Sequence, residues 1–171
     1  MGVKQQGAAL SAERYRVIPR TLTFIIYGSD LLLLRGAPDK RIWPGLFNGV
    51  GGHVESNETI TEAALREIRE EAGLDAVTDL RLRGTINIAT ENPGLGILLF
   101  VFTATSPTRT LKPSHEGHPE WVNWQTLDPR LLVPDLPILI PYVMRHPNDS
   151  PPFAGRYWYD ANDELHIIFE P

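Results

Sequence analysis

The sequence predicts a single mixed α/β domain, and three observations carry that expectation. Apolar, β-prone segments come in pairs separated by turn residues. One uninterrupted helix follows a glycine-rich loop. The chain of 171 residues is 42% hydrophobic, with no internal repeat and no linker-like stretch, which is enough apolar material for one core without disulfides or a structural metal.

Taken in order, residues 1–16 are polar and without period, and read as an N-terminal leader. The domain itself is expected over 17–171. Residues 21–27 and 31–35 are β-prone and flank Gly28-Ser29-Asp30, a hairpin turn signal. Residues 36–44, rich in Gly, Pro and charge, are expected to form an exposed loop. The glycine-rich stretch 46–53 is expected to bring backbone close to another group. Residues 59–72 lack Gly and Pro and carry Ile60, Ala64, Leu65, Ile68 and Ala72 at helical spacing, and Gly73 follows as a C-cap. Residues 80–90 and 96–105 form a second strand pair across Asn92-Pro93-Gly94. A loop is expected over 111–119, a short strand over 120–124, and a second helix over 134–146. Pro137 and Pro141 argue against that helix, since an interior proline costs about 3 kcal/mol. Residues 155–160 and 164–169 close the chain as a hairpin around Ala161-Asn162-Asp163.

Composition excludes several function classes. Cysteine is absent, so thiol nucleophiles, zinc–thiolate sites and disulfides are excluded together, in keeping with a cytoplasmic protein. The net charge is −5 without a Lys/Arg cluster, which argues against gripping a nucleic-acid polymer and leaves small polyphosphates open as ligands. No apolar run reaches the roughly 20 residues of a membrane span.

The chemistry concentrates on the first helix. Glu67, Glu70 and Glu71 stand at i, i+3 and i+4, so their carboxylates crowd one side of it, beside the apolar stripe. Partly buried carboxylates at that spacing raise one another's pKa or bind a cation, and all-oxygen donors suit Mg²⁺, Mn²⁺ or Ca²⁺. A solvated acidic face balanced by Arg66 and Arg69 is the competing structural explanation. The glycines flanking the helix favour the cation.

Residues 52–74 resemble the Nudix box, G-x5-E-x7-R-E-U-x-E-E-x-G-U, in which U is a bulky aliphatic residue. Gly52, Glu58, Arg66, Glu67, Ile68, Glu70, Glu71, Gly73 and Leu74 meet every fixed position. The resemblance implies the Nudix fold, a mixed β-sheet sandwiched between helices, and metal-dependent hydrolysis of a phosphoanhydride in a nucleoside diphosphate-linked compound. It implies that Glu67, Glu70, Glu71 and the Gly52 carbonyl bind Mg²⁺, with Mn²⁺ as substitute, and that Glu58 and Arg66 form an ion pair holding loop to helix. Glu70, Glu71 and Glu116 are the candidates for general base. Glu116 lies in His115-Glu116-Gly117, a run similar to a loop of MutT-like members. Arg35 matches a position where many such enzymes direct a basic residue at the phosphates.

Further segments point to the substrate. Phe47-Asn48-Gly49-Val50-Gly51-Gly52-His53 resembles the W-N-G-x-G-G-K run of enzymes that sanitise oxidised purine nucleotides, which makes Asn48 a base-contacting candidate, with Asp135 as its partner. The mammalian-type members carry a tryptophan and two adjacent aspartates in the segment where this chain has Val133 and Leu136 around Asp135. Trp43, Trp121, Trp124 and Trp158 are the remaining sources of a stacking face. The expected substrate is a (deoxy)nucleoside triphosphate such as 8-oxo-dGTP, cleaved to monophosphate and pyrophosphate. ADP-ribose or another nucleoside diphosphate sugar is the alternative within the enzyme class, and a non-catalytic nucleotide sensor the alternative outside it. The sequence leaves monomer and homodimer undecided.

Overall fold

The computed structural model describes residues 14–38, 42–112 and 117–170. Its elements in chain order are β1 (Arg16–Tyr27), β2 (Asp30–Gly36), β3 (Phe47–Asn48), α1 (Ile60–Ala72), β4 (Thr78–Ala89), β5 (Leu95–Thr105), β6 (Gly117–Val122), α2 (Leu136–Arg145), β7 (Phe153–Tyr159) and β8 (Leu165–Glu170). The strands form one mixed sheet in the order β3-β2-β1-β5-β4-β7-β8, and β6 pairs with β2. β1 runs parallel to β5 from Arg16↔Leu95 to Ile26↔Thr105, and β4 runs parallel to β7. The other strand pairs are antiparallel.

Each face of this sheet is covered, and β2 shows how. Leu31 and Leu33 pack with α2 residues Leu136, Leu139, Ile140 and Val143. Leu32 and Leu34 pack with Ile68 and Ala72 of α1. The alternation follows from the two-residue period of a strand, and a run of four leucines is what a strand buried on both faces requires.

α1 begins at Thr59, whose hydroxyl accepts the Glu62 amide while the Glu62 side chain accepts the Thr59 amide, satisfying two donors otherwise left open. Gly73 ends it at φ 66°, a left-handed position suited to glycine. Its buried residues are Ala63, Ala64, Glu67, Ile68, Glu71 and Ala72, so two glutamates occupy positions on the buried stripe itself. Leu65, placed on that stripe by its spacing, is exposed.

α2 forms despite its prolines. Pro137 falls in the first turn, where its missing N–H is not needed. Pro141 is interior, and burial of the i, i+3, i+4, i+7 stripe Leu136, Leu139, Ile140 and Val143 offsets its cost, each large apolar side chain contributing about 2 kcal/mol.

Of the boundaries that differ from the sequence expectation, two shift most, and for one reason, long-range pairing. β1 starts at Arg16 because β5 supplies a parallel partner along its whole length. β6 starts at Gly117, inside the expected loop, because Gly117, His118 and Pro119 lie opposite Gly36, Arg35 and Leu34. Glu116 lies outside the described residues. Among the described residues, no helix is long and apolar enough to cross a membrane.

Leu139 is fully buried between α2 and the sheet. Leu139→Ala is therefore expected to destabilise the fold by about 2–5 kcal/mol, read as a lowered urea midpoint with an unchanged m-value. A loss under 1 kcal/mol would show that α2 is loosely docked.

Candidate active site

The glycine-rich segment after β3 runs antiparallel beside β1. The Thr21 amide donates to the Gly52 carbonyl at 2.8 Å, and Thr23 and Val50 exchange amide bonds. This approach leaves no room for side chains. A Cβ on Gly51 would strike the Thr21 carbonyl, and one on Gly52 would strike the Glu67 carboxylate. The backbone and the inward face of α1 thus meet directly. The Gly51 amide donates to Glu71 Oε2 at 2.8 Å, and Glu67 and Glu71 are only 9% and 4% exposed.

Arg66 ties this arrangement together. Its Nε and Nη2 donate to the two Glu58 oxygens at 3.1 and 2.8 Å, a fork-to-fork pair. Nη2 also donates to the His53 carbonyl at 2.9 Å. Nη1 donates to Glu67 Oε1 at 2.8 Å and to Glu70 Oε2 at 3.1 Å. The Glu58 carboxyl is held below the usual carboxylate range, chiefly by Arg66 and then by the Glu55 amide. The Arg66 guanidinium is pushed above its ordinary value, chiefly by Glu58.

These donors fit a divalent cation by their chemistry. Arg66 supplies one positive charge to three carboxylates, and the half-buried cluster retains negative charge and hard oxygen donors. The Gly52 carbonyl already accepts the Thr21 amide and keeps one lone pair. Among the described residues, the trio whose potential ligand atoms lie within 4.8 Å of one another is a different one, Asp160, Glu164 and His166. The Asp160 oxygens are engaged in turn structure: Oδ1 accepts the Asn162 and Glu164 amides, and Oδ2 pairs with His166 at 3.1 Å. In α1 the carboxylates are drawn instead to Arg66 and the Gly51 amide.

Two adjoining cavities lead away from this cluster. One, of about 380 Å³, is lined by Glu71, Val133 and Trp43 among others. The other, of about 270 Å³, is mainly apolar and contains Asn48 and Asp135 together with Thr21, Tyr157 and Tyr159. Both include Arg20, Trp43, Asn48, Gly49 and Gly51, so they adjoin as one cleft, with Glu71 lining the first cavity and Asp135 the second. Asn48 Oδ1 accepts the Gly49 amide at 2.8 Å, which leaves Nδ2 as the amide's available donor. Asp135 precedes α2 and makes no side-chain capping bond. Burial pushes its carboxyl up to about 6. Burial also raises the Tyr157 hydroxyl, with the Asp135 charge adding to it.

Not every sequence candidate faces the cleft. Arg35 pairs with Glu120 at 3.0 Å and lies 4.4 Å over the Phe47 ring, and it lines neither cavity. Arg20 lines both, its guanidinium donating to His53 Nε2 at 3.2 Å. The sequence reading missed Arg20 because it fell outside the expected β1. Of the tryptophans, Trp43 lies at both cavities, whereas Trp121 and Trp124 pack against the core clusters and Trp158 stacks on His166.

Comparison with known proteins agrees with this architecture. Residues 18–143 match the model of the NUDIX domain. A mouse oxidized purine nucleoside triphosphate hydrolase is 27% identical over 148 residues, 85% of this chain and 90% of that protein. An isopentenyl-diphosphate Delta-isomerase of Rhizobium rhizogenes is 35% identical over 122 residues, and the match spans 63% of this chain and 56% of the isomerase. The crystal structure of a MutT protein from Bacillus halodurans superimposes with a TM-score of 0.71 at 24% identity, covering 91% of this chain and all of that one.

Asp135 also yields a stability prediction. Its folded pKa of about 6 exceeds the unfolded value of about 3.9. The folded state therefore binds a proton that the unfolded state has released between those values, and stability falls as pH rises through that interval. Asp135→Asn is expected to stabilise the protein at pH 8 by up to about 3 kcal/mol, with the gain shrinking below pH 6 and gone near pH 4. Equal urea midpoints for the two proteins at pH 8 would show that the carboxylate is well solvated.

Proposed function

The chain belongs to the NUDIX domain family, and on that premise we propose that it hydrolyses a nucleoside triphosphate to monophosphate and pyrophosphate, with an oxidised purine nucleotide such as 8-oxo-dGTP as the leading candidate. The observation that carries this reading is the continuous cleft. Asp135 lines one part of it and Glu71 of α1 the other, with Asn48, which offers an amide suited to a base edge, and Arg20 lining both. The similarity to the mouse oxidized purine nucleoside triphosphate hydrolase supports the same substrate class.

The family generally uses divalent cations. Glu67, Glu70, Glu71 and the Gly52 carbonyl would hold Mg²⁺, or Mn²⁺ in its place, which when bound neutralises phosphate charge and acidifies coordinated water. The residues of the chain supply the rest. Asn48 and Asp135 orient the base, so that the phosphates extend past Arg20 towards α1. Arg20, which lines both cavities, contributes positive charge for the phosphates. Glu71 lines the cavity nearest α1 and is the better placed proton acceptor. Glu70 is 59% exposed at its side chain and bonded to Arg66, and acts with Glu67 in ligation. Arg66 and Glu58 keep loop and helix in register for that purpose.

Glu71→Gln retains an oxygen able to accept the Gly51 amide while losing the charge. It is expected to lower kcat by at least about 100-fold, with thermal unfolding in chelator matching wild type in chelator. Full-rate turnover in this variant would remove Glu71 from the mechanism. Wild-type protein with Mg²⁺ and a triphosphate panel should release pyrophosphate, and the reaction should stop in chelator. Release of orthophosphate alone would exclude the proposed cleavage.

A further inference from the structure

β8 is the last strand of the sheet, and among the described residues no strand pairs with its far edge. A free strand edge presents unpaired amides and carbonyls, and proteins commonly guard it with proline, lysine or a bulge. β6, which pairs with β2 alone among the described strands, carries Pro119. β8 has no such guard. Its residues Leu165–Glu170 read LHIIFE and pair with β7 in unbroken register from Ala154↔Glu170 to Tyr159↔Leu165. Ile168, near its middle, is 44% exposed.

The hairpin turn fixes which backbone groups are free. The Asp160 amide donates to the Glu164 carbonyl, and hydrogen-bonded pairs alternate from there. His166, Ile168 and Glu170 therefore direct their backbone groups to β7, and Leu165, Ile167 and Phe169 direct theirs to the open edge. Side chains alternate as well. Leu165, Ile167 and Phe169 pack against the core cluster that includes α2. His166, Ile168 and Glu170 lie on the other face, opposite Trp158, Arg156 and Ala154 of β7.

We propose that this edge binds the same edge of a second copy of the chain, antiparallel, with the two-fold axis at Ile168. In that register Ile167 and Phe169 of each copy exchange amide–carbonyl bonds with Phe169 and Ile167 of the other. Ile168 meets its own symmetry mate, and His166 lies opposite Glu170, a donor against a carboxylate. Other registers lose this match. A slip of one residue sets the core-facing row against the solvent-facing row. A slip of two, with the axis at Ile167, sets Glu164 opposite Glu170, like charges face to face. The same slip in the other direction leaves Glu170 opposite Ile168. The strand is thus complementary to itself in one register, which favours a second copy over a different partner. The surface beside it is apolar too: Ile138 of α2, 52% exposed, shares a shallow cavity with Tyr142 and Phe169. This pairing is independent of the nucleotide-hydrolase reading.

The chain has no cysteine, so a single introduced one reports the register. Facing residues of a non-hydrogen-bonded antiparallel pair have Cα atoms about 4.5 Å apart, within reach of a disulfide. The two Glu170 positions would lie about 13 Å apart along the ladder. Wild type is expected to show a concentration-dependent monomer–dimer equilibrium in sedimentation velocity. Under mild oxidation Ile168→Cys should form a disulfide-linked dimer, and Glu170→Cys at least about tenfold less of it. Ile168→Lys brings like charges together at the axis and should raise the dimer Kd by at least about tenfold, with circular dichroism matching wild type. A wild type that stays monomeric at every concentration, equal crosslinking at positions 168 and 170, or an unchanged Kd in Ile168→Lys would each overturn the proposal.

Discussion

A guanidinium held among carboxylates organises this site. Arg66 donates to Glu58 and to the His53 carbonyl on the loop side, and to Glu67 and Glu70 on the helix side. One planar group with donors in a fixed fork can make those contacts together, and a lysine ammonium would not reproduce the paired geometry. The loop it anchors carries the Gly51 amide and Gly52 carbonyl to the buried face of α1. Loss of this bridge would free the loop and leave the glutamates repelling one another on consecutive turns.

The position of that bridge depends on the sheet. Because β2 is buried on both faces, α1 and α2 pack on opposite sides of the same strands and are fixed relative to each other. One helix contributes acidic side chains, and the N-terminal approach to the other contributes Asp135. The cleft between them is bounded by β1, β3 and β7, rigid elements that hold Arg20, Asn48 and Tyr157 at set positions. Its polar groups are few and its walls mainly apolar, so each polar group has a large effect on which ligand fits. Val133 lies buried in the wall of this cleft, and the exposed Trp43 is the tryptophan that reaches both cavities.

The acidic cluster was legible in the sequence because helical periodicity is local. The spacing of Glu67, Glu70 and Glu71 and the capping glycine at 73 are consequences of a helix whose register the apolar residues set, whereas the pairing of Glu58 with Arg66 was legible only through resemblance. Asn48 and Asp135 were legible only through resemblance, since neither stands in a periodic pattern that marks a site. Arg20 and Tyr157 were not legible as site residues. Arg20 lies where β1 continues beyond its apolar run, and Tyr157 reads as an ordinary inward strand residue.

What the sequence by itself determined was the element inventory, the first helix and the chemical character of its acidic edge, all of which depend on residues within a few turns of one another. The tertiary structure decided which distant residues share a cavity. The parallel pairing of β1 with β5 and of β4 with β7 sets Thr21, Asn48, Asp135 and Tyr157 around one space. Such pairings pay a loop-closure entropy that local patterns do not encode. They are stabilised by burial on both faces of the sheet, which only the assembled fold provides.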